Sequence, residues 1–272
     1  MAGRAEAARI SLAADLREED IDSLFGAEIT RSLEVAFDRE AGAVRAREVR
    51  RLRALVLAER PRAAPRTAAS SIALAQGIAS LGLHRLPWTA ALSQWRERVM
   101  FLRQHMGGAD WPDLSDAALA EGITDWLGPF LDGKTALAEI SAGDLGNALH
   151  AQVPYGLAAR LEAEAPTHFD APSGSRLPID YGQEGGPVLP VRVQEMFGLA
   201  VHPSIAGGRV PLTLALLSPA HRPIQITKDL PQFWRGSWRE VRADMRGRYP
   251  KHPWPEDPAQ APATSRAKPR GT

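Results

Sequence analysis

The chain has 272 residues, of which 44% are hydrophobic and 24% charged, an ordinary composition for a folded globular protein. Its formal net charge is only +1, which excludes attraction of nucleic acid by the molecule as a whole, so any such binding must come from a local patch. It contains no cysteine, which excludes disulfides, zinc–thiolate sites and cysteine nucleophiles.

Residues 1–60 are predicted to form a small β-rich module. The alternation of apolar and polar residues indicates strands, and Gly26 ends a short helix between the first two of them. Three strands without further partners leave an open sheet edge, which we expect of a domain whose beginning lies upstream of Met1. The predicted elements are a strand (Ala8–Leu16), a helix (Arg17–Gly26) and two strands (Ile29–Asp38 and Val44–Leu57) joined by a turn at Glu40–Gly42.

The second of these hairpin strands is rich in arginine. Alternation places Arg45, Arg47, Arg51 and Arg53 on one face, which could contact a nucleic-acid backbone. No aromatic residue is interleaved to stack on bases, so the pattern is of low specificity. All but four of the 33 basic residues in the chain are arginine, which a GC-rich coding sequence also explains.

A linker at residues 61–66 separates this module from a predicted C-terminal domain at 67–258. Its first part, 67–165, has helical periodicity, and Trp95 and Trp126 are expected in its core. Ser115 is suited to cap one helix. The predicted helices are Thr67–Gly82, Trp88–Met106, one that follows Ser115, Thr135–Leu149 and Pro154–Glu164.

Residues 166–258 have mixed α and β character. Turn signals flank short strands, and Val210–Leu217 is the most apolar strand pattern of the chain. A short helix is predicted over Val193–Gly198, and a strand over Ile224–Thr227 precedes the last helix. Residues 259–272 are expected to be a disordered tail. The predicted fold class is α+β.

The last helix carries two parallel stripes. Asp229 can cap it, and Pro231 is tolerated in its first turn. One stripe is apolar and has 4-4-3-4 spacing: Leu230, Trp234, Trp238, Val241 and Met245. A second stripe, about 100° away, consists of four arginines at 4-3-4 spacing: Arg235, Arg239, Arg242 and Arg246. Repulsion along the arginine stripe costs roughly 0.2–0.5 kcal/mol per pair, which favours an anionic partner; a solvated face is the alternative. The candidate residues for binding nucleic acid or a partner are Arg235, Arg239, Arg242, Arg246, Arg248, Lys251 and Trp254.

Gly128–Thr135 formally matches the phosphate-binding loop G-x-x-x-x-G-K-[ST]. That loop requires a preceding buried strand, whereas the residues here are helix-periodic. Pro129 removes one N–H donor, and Phe130 and Leu131 are bulky where the backbone must wrap tightly. An ordinary helix–loop–helix is therefore expected.

No other pattern indicates catalysis or a cofactor. The seven histidines have no metal-ligand spacing, and there is no G-x-S-x-G elbow. We therefore expect no catalytic, metal or cofactor residues in this chain. No apolar run approaches the ~20 residues that a membrane helix needs, so a cytoplasmic protein without a membrane partner is expected.

Four segments resemble the C-terminal region of one family. They are VPYGLAARLEAEAPTHFDAPSGSRLPIDY (153–181), PVLPVRVQEMFGL (187–199), GRVPLTLALLSPAHRPIQ (208–225) and RPIQITKDLPQFWRGSWREVRADMRGRYPKHPWPEDP (222–258). In this order they resemble the ATP-dependent HrpB helicases of the DEAH-box-like class. The resemblance implies that residues 1–60 end an oligonucleotide-binding-like module, and that tandem motor domains which use ATP and Mg²⁺ lie upstream.

Three functions follow as alternatives. The first is an accessory helicase region that binds RNA or DNA, or docks on the motor in cis or in trans, and has no ATPase of its own. The second is a structural or protein-interaction module whose arginines meet carboxylates. The third is a stand-alone nucleotide-binding protein that uses Gly128–Thr135.

Overall fold

The computed structural model describes residues 16–108 and 110–266, and it divides into two compact units. Unit 1 contains the described residues up to Leu81 together with Leu131–Glu139, and unit 2 contains Gly82–Phe130 and the chain from Ile140 onward. The predicted strand Ala8–Leu16 lies outside the described residues except for its last position. The architecture is α+β, as predicted.

Unit 1 is built on a three-stranded antiparallel sheet of order β1-β2-β3. The predicted single strand Val44–Leu57 is in fact two strands, because the chain reverses at Arg53, which has φ 52°. The reversal contains no glycine, so the alternating pattern continues across it without a visible break. The elements are α1 (Glu18–Phe25), β1 (Ile29–Asp38), β2 (Ala43–Leu52), β3 (Leu55–Arg62) and α2 (Ala68–Leu81).

Helix α2 packs on this sheet. Val44 and Ala46 are buried, and the ring of Phe37 lies so close to Gly77 that a Cβ there would fall 2.1 Å from Phe37 Cγ. A glycine is therefore required at position 77. Strand β3 extends two residues into the predicted linker, and α2 belongs to the same unit as the sheet rather than to the helices that follow it.

Unit 2 begins with helices. The predicted helix Thr135–Leu149 starts later, at Ala142, because Ser141 and Asp144 form a capping box that defines its N-terminus. Ser115 caps α4 through the N–H of Ala118, as expected. The helices are α3 (Ala90–His105), α4 (Asp116–Glu121), α5 (Ile123–Trp126), α6 (Ala142–His150) and α7 (Tyr155–Glu164).

The β structure of unit 2 centres on a sheet of order β10-β9-β6. Its middle strand comes from the predicted apolar segment, and Leu214 and Leu216 are fully buried. It pairs antiparallel with β10 and parallel with β6. The strands are β4 (His168–Asp170), β5 (Arg176–Pro178), β6 (Val188–Arg192), β7 (Ser204–Ile205), β8 (Val210–Pro211), β9 (Thr213–Leu217) and β10 (Pro223–Thr227).

The chain ends with two helices and a segment that lies on them. The predicted last helix is split into α8 (Leu230–Arg235) and α9 (Trp238–Arg248). In the predicted disordered tail, the N–H of Thr264 donates to the carbonyl oxygen of Gln194 at 3.0 Å, so the described part of the tail differs from that expectation. Within the described residues, no helix is long and apolar enough to cross a membrane.

Candidate nucleic-acid interface

Helices α8 and α9 form a corner, which we call the α8–α9 corner, and hydrogen bonds hold it at the N-terminus of α8. Asp229 Oδ1 accepts the N–H of Gln232 at 2.8 Å, as its predicted capping role requires. His202 Nδ1 accepts the N–H of Leu230 at 3.0 Å, while its Nε2 lies 2.8 Å from the carbonyl oxygen of Leu212. This pair of contacts requires the imidazole tautomer protonated at Nε2, and it joins the start of α8 to the β9 region.

Gly236 separates the two helices. A Cβ at this position would lie 3.0 Å from the carbonyl oxygen of Gln232, so a larger residue does not fit without rearrangement. The break interrupts the periodicity that joined Arg235 to the other three arginines of the predicted stripe. Arg239, Arg242 and Arg246 still share one face of α9, within about 60° at 100° per residue.

The apolar stripe forms an aromatic core instead of an exposed platform. Trp238 is 2% exposed, and its ring centroid lies 5.4 Å from that of Trp234 and 6.1 Å from that of Trp254. Each of these indole N–H groups has a backbone partner: the carbonyl oxygens of Leu199, Pro255 and Tyr249 accept from Trp234, Trp238 and Trp254, respectively.

Trp254 is consequently not available to stack on a base. Only 7% of its surface is exposed, because it packs on Trp238 beneath the loop that follows α9. In this region the tryptophans are buried, whereas Arg235, Arg239, Arg246 and Lys251 are on the surface. The arrangement is suited to contacts with phosphates and not to stacking of bases.

The arginines of α8 and α9 divide into two groups. Arg242 donates through Nε to the carbonyl oxygen of Trp254 and through its terminal nitrogen to Glu256, at 2.9 and 3.1 Å. Arg248 pairs with Asp244 at 3.0 Å. These two side chains are therefore held by the protein itself.

The second group projects into solvent. Arg235, Arg239 and Arg246 are exposed, and no ion pair or hydrogen bond of their side chains is found in the part of the chain that the structure describes. Lys251 is exposed in the same way. Arg239 and Arg246 are seven residues apart, which is about 10 Å along the helix axis. We call Arg235, Arg239, Arg246 and Lys251 the basic patch.

The arginine-rich face of β2 in unit 1 is neutralised. Arg47 lies 3.0 Å from Glu34 and 2.9 Å from Glu59, and Arg51 lies 2.7 Å from Glu34. Hydrogen bonds from these arginines hold the pKa of Glu34 below its usual value. Two further ion pairs involve Arg45, which lies 3.8 Å from Asp38, and Arg53, which follows the strand and lies 2.7 Å from Glu28.

The carboxylates that neutralise this strand could have been found from the sequence. The turn at Glu40–Gly42 sets a register in which Glu34 stands opposite Arg47, and cross-strand neighbours on one face attract when their charges are opposite. The strand face consequently lacks the excess positive charge that the sequence suggested.

The Gly128–Thr135 stretch has the geometry of a connection between helices. The helix α5 precedes it, and Gly128–Leu131 is a 3-10 turn. Glu139 accepts the N–H of Thr135 at 2.7 Å and that of Ala136 at 3.3 Å, so the donors that would face a phosphate are directed at a carboxylate. Among the described residues there is also no group of three or more potential ligands that could hold a metal ion.

Comparison with known proteins defines the class of this chain. Residues 126–258 match the family described as ATP-dependent helicase C-terminal, HrpB_C. The chain corresponds to the C-terminal region of the HrpB helicases, and the resemblance seen in its sequence is confirmed.

The similar proteins that carry this conclusion come from Escherichia coli. Over 234 residues the chain is 42% identical to the ATP-dependent RNA helicase HrpB of strain K12, a match that covers 86% of the chain and 29% of that relative. The crystal structure of the E. coli DExH-box NTPase HrpB superposes with a TM-score of 0.72 at 38% identity, over 94% of this chain and 31% of that one.

A second crystal structure, of the Escherichia coli DEAH/RHA helicase HrpB, gives a TM-score of 0.63 at 39% identity over 84% of this chain and 29% of that one. The chain therefore spans less than a third of the length of the relatives that it matches.

Proposed function

We propose that this chain acts as a C-terminal accessory region of an ATP-dependent helicase and that it binds the phosphate backbone of RNA or DNA through the basic patch. In this proposal, ATP and Mg²⁺ are used by the motor of the helicase, and this chain holds the strand without hydrolysing ATP. Docking on the motor, in cis or in trans, brings the patch to the strand that the motor moves.

The observation that carries the proposal is the division between partnered and unpartnered arginines at the α8–α9 corner. Arg242 and Arg248 are engaged by carboxylates or by backbone oxygen, whereas the three arginines of the basic patch are exposed with no acidic neighbour of their own among the described residues. The two acids inside α9, Glu240 and Asp244, lie about 100–140° round the helix from Arg239.

An exposed guanidinium retains all its donors, and it bonds phosphate oxygens in bidentate fashion. Because the tryptophans beneath are buried, binding should depend on backbone charge and not on base identity. This is the behaviour expected of an accessory domain that follows a moving motor.

The test is binding of single-stranded oligonucleotides to the chain at low salt. The triple variant Arg235→Gln, Arg239→Gln, Arg246→Gln should lose most of its affinity. A matched control, Arg45→Gln, Arg47→Gln, Arg53→Gln, removes the same number of charges from the neutralised strand of unit 1 and should retain more of it. Equal loss in the two variants, or no binding by the unmodified chain, contradicts the proposal.

A second candidate function is docking of the same patch on an acidic protein surface. The observation that favours it is the small size of the patch, with three arginines and one lysine. An unmodified chain that ignores oligonucleotides at low salt but binds helicase motor domains in a manner sensitive to the triple substitution would support this candidate instead.

A further inference from the structure

A second group of arginines lies in unit 1, on the opposite face of the sheet from the neutralised strand face described above. Arg31 of β1, Arg50 of β2, and Arg60 and Arg62 of β3 surround the carboxylate of Glu48. Together with Glu18 and Ala58 they line a cavity of about 190 Å³. We call this group the arginine cluster.

The strand register brings these side chains together. Arg31 stands opposite Arg50, and Glu48 stands opposite Arg60, so the residues are direct or diagonal neighbours across three strands on one face. Ala58 stands opposite Arg50 on β3. Its small side chain leaves a depression between the longer side chains, which is the floor of the cavity.

The arginines of the cluster are unequally satisfied. Arg62 donates two hydrogen bonds to one carboxylate oxygen of Glu48, from Nε at 3.0 Å and from a terminal nitrogen at 2.5 Å. Arg50 is held by Glu18 at 2.8 Å and by Asp22. Arg31 and Arg60 are exposed and make no ion pair with any residue that the structure describes.

Glu48 is therefore shared among several cations. Its hydrogen bond with Arg62 and the charges of Arg62, Arg31 and Arg60 hold its pKa below the usual value. Among the described residues, four guanidinium groups thus face three carboxylates, and the buried Nε of Arg50 has no hydrogen-bond partner. The cavity keeps an excess of positive charge and unused donors.

We propose that the arginine cluster binds a phosphate group, with Arg31 and Arg60 as its principal ligands. A phosphate offers several strong acceptor oxygens to converging guanidinium groups, and a cavity of this volume accommodates it. None of the described residues that line the cavity is aromatic, so the site holds a phosphate and leaves any attached base or sugar outside. This site is separate from the basic patch, and it does not depend on the function proposed for that patch.

The first test is stabilisation of the full chain by inorganic phosphate, measured as the melting temperature against chloride at equal ionic strength. A ligand that binds the folded state raises the melting temperature as its concentration exceeds the dissociation constant. The double variant Arg31→Gln, Arg60→Gln should lose the phosphate-specific rise. The control Arg45→Gln, Arg53→Gln carries the same charge change at two arginines that are paired with Asp38 and Glu28, and it should keep the rise.

Two results overturn the proposal. One is a phosphate effect in the unmodified chain no larger than that of chloride. The other is a phosphate effect that the Arg31→Gln, Arg60→Gln variant retains in full. Because both arginines are exposed, the variant should fold, which its far-ultraviolet circular dichroism checks. The single variants Arg31→Lys and Arg60→Lys keep the positive charge but lose the paired donors of the guanidinium group. Each should give an intermediate phosphate-specific rise in melting temperature.

A competition experiment identifies the source of the phosphate. If a 5′-phosphorylated oligonucleotide displaces inorganic phosphate and the unphosphorylated strand does not, the site binds a terminal phosphate. If both oligonucleotides displace it, the site binds the phosphate backbone. If neither does, the ligand is free phosphate. The triple variant of the basic patch should keep the phosphate-specific rise in melting temperature, so that failure of this proposal and failure of the proposed function are distinguishable.

Discussion

The Nε–H of Arg242 donates a hydrogen bond to the backbone carbonyl oxygen of Trp254 at 2.9 Å. This bond joins the middle of α9 to the segment that follows it, and the adjacent contact with Glu256 at 3.1 Å extends the connection. One arginine of the predicted stripe therefore has a structural role, while its neighbours on the same helix face remain on the surface.

We expect Arg242→Ala to lower the free energy of unfolding by about 1.5–3 kcal/mol, because a charged donor is lost and a carbonyl oxygen is left without its partner. Arg239→Ala, one turn away and exposed, should change it by less than about 0.5 kcal/mol. Urea unfolding of the two variants measures the difference. Equal effects would show that the bond to Trp254 does not contribute to stability.

Trp254 should act on stability and not on nucleic-acid affinity. Trp254→Ala removes a buried indole from the cluster around Trp238, and losses of about 3–5 kcal/mol are typical of such truncations. Trp254→Phe keeps most of the packing but removes the hydrogen bond to Tyr249, so this milder variant is the one to use for binding. Its oligonucleotide affinity should equal that of the unmodified chain; a selective loss would mean that the indole contacts the ligand.

The salt dependence of oligonucleotide binding should report the contacts of the basic patch one by one. Each phosphate contact contributes about 0.7 to the slope of log K against log salt for a single strand. Arg239→Gln and Arg246→Gln should each reduce the slope by about this amount, and the double variant by about twice as much. Arg248→Gln, whose guanidinium is paired with Asp244, is the control and should change the slope less.

The Gly128–Thr135 stretch should not bind nucleotide. Titration of the chain with a fluorescent ATP analogue and Mg²⁺ should give no saturable binding that depends on Lys134, because Glu139 already accepts the N–H groups of Thr135 and Ala136. The measurement compares the unmodified chain with Lys134→Ala. Micromolar binding that the substitution abolishes would restore the nucleotide-binding alternative.

Glu97 of α3 should make stability depend on pH. Burial, and secondarily the charge of Asp180, raises the pKa of Glu97, so the folded state holds this proton more tightly than the unfolded state. The contribution of Glu97 to the free energy of unfolding is most favourable at pH values below its pKa in the unfolded chain. That contribution is lost as the pH rises through its pKa in the folded chain. Glu97→Gln should therefore be more stable than the unmodified chain at pH 7, by less than about 1 kcal/mol because solvent screens a partly exposed group.

At about pH 4 this difference should disappear. Thermal unfolding at the two pH values measures it, and Glu121→Gln on α4 is a comparison in which an exposed carboxylate is changed. A Glu97→Gln variant with the same advantage at both pH values would mean that the carboxylate charge is not the cause.

The sequence by itself determined the parts of this protein that depend on local periodicity and on short capping signals. Ser115 and Asp229 mark helix starts because their side chains accept a nearby backbone N–H, and the apolar run of β9 indicates a strand in the core, where Leu214 and Leu216 are buried. Four residues of the predicted apolar stripe, Leu230, Trp234, Trp238 and Met245, are buried, and the fifth, Val241, is partly exposed. The family resemblance also comes from the sequence, through the order of the four segments that are similar to the HrpB helicases.

Only the tertiary structure decided which arginines remain available. Arg239 and Arg242 are equivalent in a helical pattern, yet one is exposed and the other is bound to Trp254, because the loop after α9 returns over one side of the helix. On β2, Arg47 also pairs with Glu59 of β3, a strand that the sequence pattern did not separate from β2. Ion pairing depends on distances of a few ångströms between residues far apart in the chain, and periodicity along one segment carries no such information.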